Sequence, residues 1–132
     1  MRVLPRLQVL KKENGQDLIE LALVLPLLLL VLVITVDLGR VFSTQMVLVN
    51  AAREGARQAS RDVFNIPAIT EAALYETRNA GLADNDVSVS VSSASSGNPV
   101  QVTVQYDFSL ISGRILPFSS LPLSSSVNMV VF

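Results

Sequence analysis

The spacing of apolar residues changes character twice along the chain. From Leu18 to Val36 the sequence is almost wholly aliphatic, with Glu20, Pro26 and Thr35 as the exceptions. A run of about 19 residues at roughly 1.5 Å rise gives a helix of about 28 Å, enough to cross the hydrocarbon core of a bilayer. A helix packed in a water-soluble core shows an apolar stripe. This run is apolar on every side and predicts a membrane span. Pro26 removes one helical hydrogen bond and predicts a kink unless neighbours compensate. At the far edge Asp37 and Arg40 share one helix face at i,i+3. Thr35 and Gly39, small and four apart, offer a close helix contact.

From Val41 to Asp62 the period becomes three to four. Phe42, Met46, Val49, Ala52, Ala56 and Ala59 form one apolar stripe whose outer half is made of small residues, suited to close packing. Arg53, Arg57 and Arg61 repeat at i,i+4 with Glu54 three before Arg57, either a solvated face or a contact ridge for acidic partners. Asn65-Ile66-Pro67 breaks the helix, and Pro67 suits the first turn of a second one. That helix is expected to run to about Asn79, with Ile69, Ala73 and Ala80 inward and Gly81 as its C-terminal cap.

From Asp86 the period is two. Val87, Val89 and Val91 alternate with serines. After SASSGNP, Val100, Val102, Val104, Tyr106 and Phe108 alternate with polar residues. Both read as half-buried strands of an antiparallel hairpin. Residues 111–122 read as a connection holding Gly113, Pro117 and Pro122, and Leu123–Phe132 as a third strand. A bare three-stranded meander is marginal, so the two helices are expected to cover it. The fold class is α+β, pilin-like: a long N-terminal transmembrane helix continuing into a small outer domain, with a second short helix and a three-stranded antiparallel sheet. The divisions are 1–15, a basic leader; 16–38, the transmembrane helix; and 39–132, the outer domain, helical over 39–80 and a β-meander over 86–132. Its sheet edges are poor in charge and could pair with other chains.

Composition narrows the chemistry. The 132 residues include no Cys, His or Trp, which excludes disulfides, thiolate metal sites and His-dependent catalysis. There is no phosphate-binding glycine loop. Asp84 and Asp86 around Asn85 fit turn chemistry better than a calcium loop, and Ser124, Ser125 and Ser126 read as the solvated face of a strand. No enzyme activity, cofactor or metal is expected. Arg2, Arg6, Lys11 and Lys12 precede the span, while the part after Gly15 holds six cations and ten acids. That asymmetry favours a cytoplasmic N-terminus with the C-terminal part outside, and it supplies no basic patch for nucleic acid.

The segment after the span, TVDLGRVF, lacks the small-residue site of an ordinary signal peptidase. A different cut lies before the span. A basic leader ending in Gly15, then Gln16, and Glu20 at the fifth position of a hydrophobic helix resembles the processing site of type IV prepilins. Gly suits such a site because a backbone without Cβ allows close approach. A carboxylate at mid-membrane costs about 2.5 to 3.5 kcal/mol, less near the end, so Glu20 either has a partner, is protonated, or sits at the interface and snorkels to headgroups. In pilins, the resemblance implies, that partner is the N-terminal amine of a neighbouring subunit.

Gly15-Gln16, Glu20, the aliphatic run around Pro26, Asp37-Leu38-Gly39-Arg40 and Asn50-Ala51-Ala52-Arg53-Glu54-Gly55-Ala56-Arg57 together resemble the N-terminal signature of TadE-like proteins. These are minor pilins or pseudopilins of the tight-adherence (Tad, Flp-type) pilus system. The resemblance covers about the first 60 residues. It implies cleavage by a prepilin peptidase between Gly15 and Gln16, and amine pairing by Glu20. Asp37, Gly39, Arg40, Arg53, Glu54, Gly55 and Arg57 become candidates for subunit packing. The implied partners are the peptidase, other pilin subunits, the inner-membrane assembly platform and lipid. The implied location is the cytoplasmic membrane or an extracellular pilus. The competing reading is a single-pass membrane-anchored binding or adhesion module that keeps its leader as a cytoplasmic tail.

Overall fold

A computed structural model describes residues 13–92 and 99–130. The leader cations, most of the SASSGNP link and the last two residues of the third predicted strand lie outside the described residues. Helix α1 spans Glu13–Ala59, a continuous 47-residue helix that runs through Pro26. Helix α2 spans Ile66–Asn79. Strands β1 (Val87–Ser92), β2 (Pro99–Ser109) and β3 (Ser120–Val130) form one antiparallel sheet in the order β1-β2-β3. The architecture is α+β, as the change of period predicts.

The helix ends follow local chemistry. α1 stops at Ala59, three residues short of the expected Asp62, because Asp62 Oδ1 accepts the Phe64 N–H at 3.1 Å and turns the chain. Asn65 caps α2 by accepting the Ala68 N–H at 3.2 Å, and Pro67 lies in the first turn. At the other end Gly81 adopts φ +79°. Its N–H donates to the Arg78 carbonyl at 2.9 Å and the Leu82 N–H to that of Thr77 at 3.0 Å, a Schellman closure. The inward face of α2 is Ile69, Ala73 and Thr77. Ala80, expected inward, is exposed, because the helix ends one residue earlier and the chain turns there.

The core lies between the outer half of α1, α2 and one face of the sheet. Its membrane-side half gathers Leu48, Ala51, Ala52 and Ala73 against Val104, Phe108 and Leu123. Its distal half gathers Ala56, Ala59 and Ile69 against Val100 and Val102. Small residues on α1 set the spacing. A Cβ on Gly55 would stand 3.0 Å from Val102 Cγ1 and 3.4 Å from Ala73 Cβ, so helix, helix and sheet meet at this glycine.

Two expectations are corrected here. The buried face of α1 runs through Asp37, Thr44, Leu48, Ala51, Ala52, Gly55, Ala56 and Ala59, while Phe42 (69% exposed) and Met46 (57% exposed) point outward. Phe42 and Met46 belong to another surface, while the buried face at the membrane end of this half holds the polar Asp37 and Thr44. Strand β3 begins at Ser120, not Leu123, and includes Pro122 opposite Asp107. As an edge strand it tolerates the missing N–H. Gln45 of α1 also donates to its Ser124 carbonyl at 2.9 Å.

Candidate functional site

The membrane end of α1 and the joint where α1 meets the sheet carry the candidate residues. Gly15, Gln16 and Glu20 lie in the first turns of α1, all exposed. Among the described residues no cation pairs with Glu20. From Leu18 to Val36 the large side chains other than Leu30, Val33 and Ile34 project outward, and α1 is long and apolar enough to cross a membrane, with its most apolar stretch unburied. Thr35 meets its own needs, donating from Oγ1 to the Val31 carbonyl at 2.8 Å, as a hydroxyl in an apolar setting must.

Asp37 lies where the exposed apolar stretch of α1 gives way to the part packed on the sheet. Only 3% exposed, it accepts three hydrogen bonds. The Ile111 N–H donates to Oδ1 at 3.1 Å, the Ser112 N–H to Oδ2 at 2.8 Å, and Arg40 Nη1 to Oδ1 at 3.1 Å. The Arg40 guanidinium in turn lies 4.8 Å from the centre of the Phe108 ring, a cation–π contact. Phe108 packs edge-on to Tyr106 with ring centres 6.4 Å apart. A carboxylate on the helix thereby clamps the β2–β3 connection, and its arginine clamps the end of β2.

The other candidates separate into two groups. Gly39 is exposed, with nothing within 4 Å of an added Cβ. Arg53 and Arg57 are exposed, and Arg57 Nε donates to Glu54 Oε2 at 2.9 Å with a second contact from Nη2 to Oε1. That bond from Arg57 holds the Glu54 carboxyl below the usual carboxylate range. Asp37 and Gly55, grouped with these by sequence, are engaged inside the chain: one in the clamp, one under Val102. Glu20 and Asp37 stand about 26 Å apart along the helix and share no site. Sequence reasoning missed Ser112 as a partner of Asp37 and Phe108 as the partner of Arg40, which lie too far along the chain for any spacing rule. It also missed the outward ridge Leu38, Phe42 and Met46, an i,i+4 series that prolongs the exposed surface of the span.

Among the described residues one exposed apolar helix, continued into a helix-covered sheet, defines the class: a membrane-helix protein with one small domain beyond the helix. Residues 15–57, the membrane-helix candidate and its continuation, match the family described as TadE-like protein. No curated protein matches the chain, and no solved structure does.

Proposed function

We propose that the chain is a minor pilin or pseudopilin that serves in the assembly or structure of a Tad-type pilus and so in surface attachment. A prepilin peptidase cuts between Gly15 and Gln16 at the cytoplasmic face. The trimmed chain then waits in the inner membrane, outer domain outside, until the assembly platform passes it into or onto a filament. The observation that carries this reading is where the family match begins. It starts at Gly15, five residues before Glu20, at the foot of a helix whose most apolar stretch is unburied among the described residues.

The mechanism is packing rather than chemistry. Cleavage would create an amine on Gln16, and Glu20 of one subunit would meet the amine of the next. Each charge offsets the other's desolvation, and the pair sets the axial register between helices. Exposed Gly39, with Thr35, lets a second helix approach closely. Leu38, Phe42 and Met46, with Arg53, Glu54 and Arg57 further out, supply the rest of the contact. A kink at Pro26 would let packed helices bend. Expressing Glu20→Ala in pilus-forming cells tests the pairing: the variant should be cut normally, accumulate in the membrane and be depleted from sheared filaments. Equal incorporation of variant and wild type would remove Glu20 from the mechanism.

A further inference from the structure

We infer that the β2–β3 connection, Leu110–Ser119, is a second membrane contact: a loop that inserts its apolar side chains into the outer leaflet beside the span. The inference rests on the membrane reading of α1 and goes beyond it. The loop's sequence, LISGRILPFS, has no helical or strand period, yet Ile111, Ile115 and Phe118 are all exposed, Ile115 by 69% and Phe118 by 59%. Isolated exposed apolar residues are ordinary on a protein surface; three in one short connection, beside a membrane helix, are not.

The depth of the loop follows from what it touches. Asp37 holds its start through Ile111 and Ser112. From there the chain descends. Ile115 lines an open groove of about 600 Å³ with Leu23, Pro26, Leu27, Leu30 and Val33 of α1. Leu30 is seven residues before Asp37, about 10 Å further down the helix. Half-buried positions within the otherwise exposed span are Leu30, Val33 and Ile34, and the first two border this groove. If α1 crosses the bilayer, Ile115 is already at hydrocarbon depth.

From Leu110 to Leu116 every backbone N–H is prepared for that setting. Irregular chain survives beside lipid only where its polar groups are satisfied within the protein. Leu110 donates to the Ser119 carbonyl at 3.0 Å. Ile111 and Ser112 donate to Asp37. Gly113 donates to Leu110, Arg114 to Ile111, and Ile115 and Leu116 both to Ser112. Pro117 has no N–H to satisfy. The turn is also tight: a Cβ on Gly113 would fall 2.6 Å from Ser119 Cα, so only glycine fits there. Arg114 is exposed and long enough to lift its guanidinium toward lipid phosphates while its stem stays in the apolar layer. Lipid is therefore the occupant that the loop's depth, its internal hydrogen bonding and its continuity with the exposed span together favour.

The absence of cysteine makes the test direct. Single variants Ile115→Cys, Phe118→Cys, Leu25→Cys and Ser90→Cys of the full chain are spin-labelled. They are reconstituted at low protein-to-lipid ratio into phosphatidylethanolamine–phosphatidylglycerol vesicles. Collision with oxygen, which concentrates in hydrocarbon, is compared with collision with a water-soluble nickel chelate. Labels at 115 and 118 should favour oxygen, as the label at 25 does, and the label at 90 should favour nickel. Nickel preference at 115 and 118 with oxygen preference at 25 overturns the loop proposal and leaves the membrane helix standing. Nickel preference at 25 overturns both. Shielding of 115 and 118 from both reagents means protein covers the loop, and also overturns the proposal.

Discussion

Replacing Asp37 by Ala removes the acceptor that two backbone N–H groups, those of Ile111 and Ser112, share at a site with 3% exposure. A buried donor left without a partner costs about 1 to 3 kcal/mol, so two cost about 2 to 6 kcal/mol before relaxation. The loop is at the surface, and water or lipid headgroups can reach a displaced N–H, which argues for the lower half, about 2 to 4 kcal/mol. The lost Arg40 contact adds little, because that guanidinium is substantially exposed and keeps its place over Phe108. At 1.4 kcal/mol per tenfold, local opening of the 110–116 turn becomes about 30- to 700-fold more frequent. Hydrogen exchange of the full chain in micelles, read by mass spectrometry on peptides covering residues 110–119, measures that opening. The β1–β2 pairing should keep its protection, since the clamp does not touch it. Unchanged exchange in the 110–119 peptides of Asp37→Ala would refute the clamp.

Other outcomes follow from single contacts. Gly55→Leu overpacks the junction of α1, α2 and β2 and should lower stability by about 1 to 3 kcal/mol, read as a reduced urea midpoint from tyrosine emission. Gly81→Ala forces a left-handed conformation on a residue with Cβ and should cost about 1 kcal/mol by the same assay. Arg78 Nη1 contacts Glu71 at 2.5 Å and Nη2 contacts Asp84 at 2.7 Å, and its guanidinium holds the Asp84 carboxyl below the usual range. The stabilisation from Asp84 is therefore present above the ordinary aspartate pKa and lost as pH falls below it. The wild-type advantage over Arg78→Met should shrink on acidification, and a gap that stays constant from neutral to strongly acidic pH would contradict the pairing.

The elements with a strong period were legible in the sequence. The aliphatic block made a helix, the Val/Ser alternation made β1 and β2, and Pro67 and Gly81 bracketed α2. What escaped was the rotation of α1. Its buried face includes a carboxylate, a threonine and a glycine, which a hydrophobic pattern does not count, while Phe42 and Met46, which it counts first, face outward. The clamp escaped for a related reason: Asp37 meets Ser112 across 75 positions, and the helical spacing to Arg40 explained only part of its bonding. Pro122 reads as a breaker and hides the start of β3, although an edge strand admits it. The loop carried apolar residues without period, and only its position against α1 gives them a meaning.

The most direct measurement is the mass of the intact chain recovered from cells that bear the filaments, taken from both membrane and sheared-filament fractions. A chain beginning at Gln16 in both fractions, with Gly15→Leu uncut and absent from the filaments, is the expected result. A chain that still begins at Met1 inside working filaments, or Gly15→Leu processed like the wild type, would contradict the central claim.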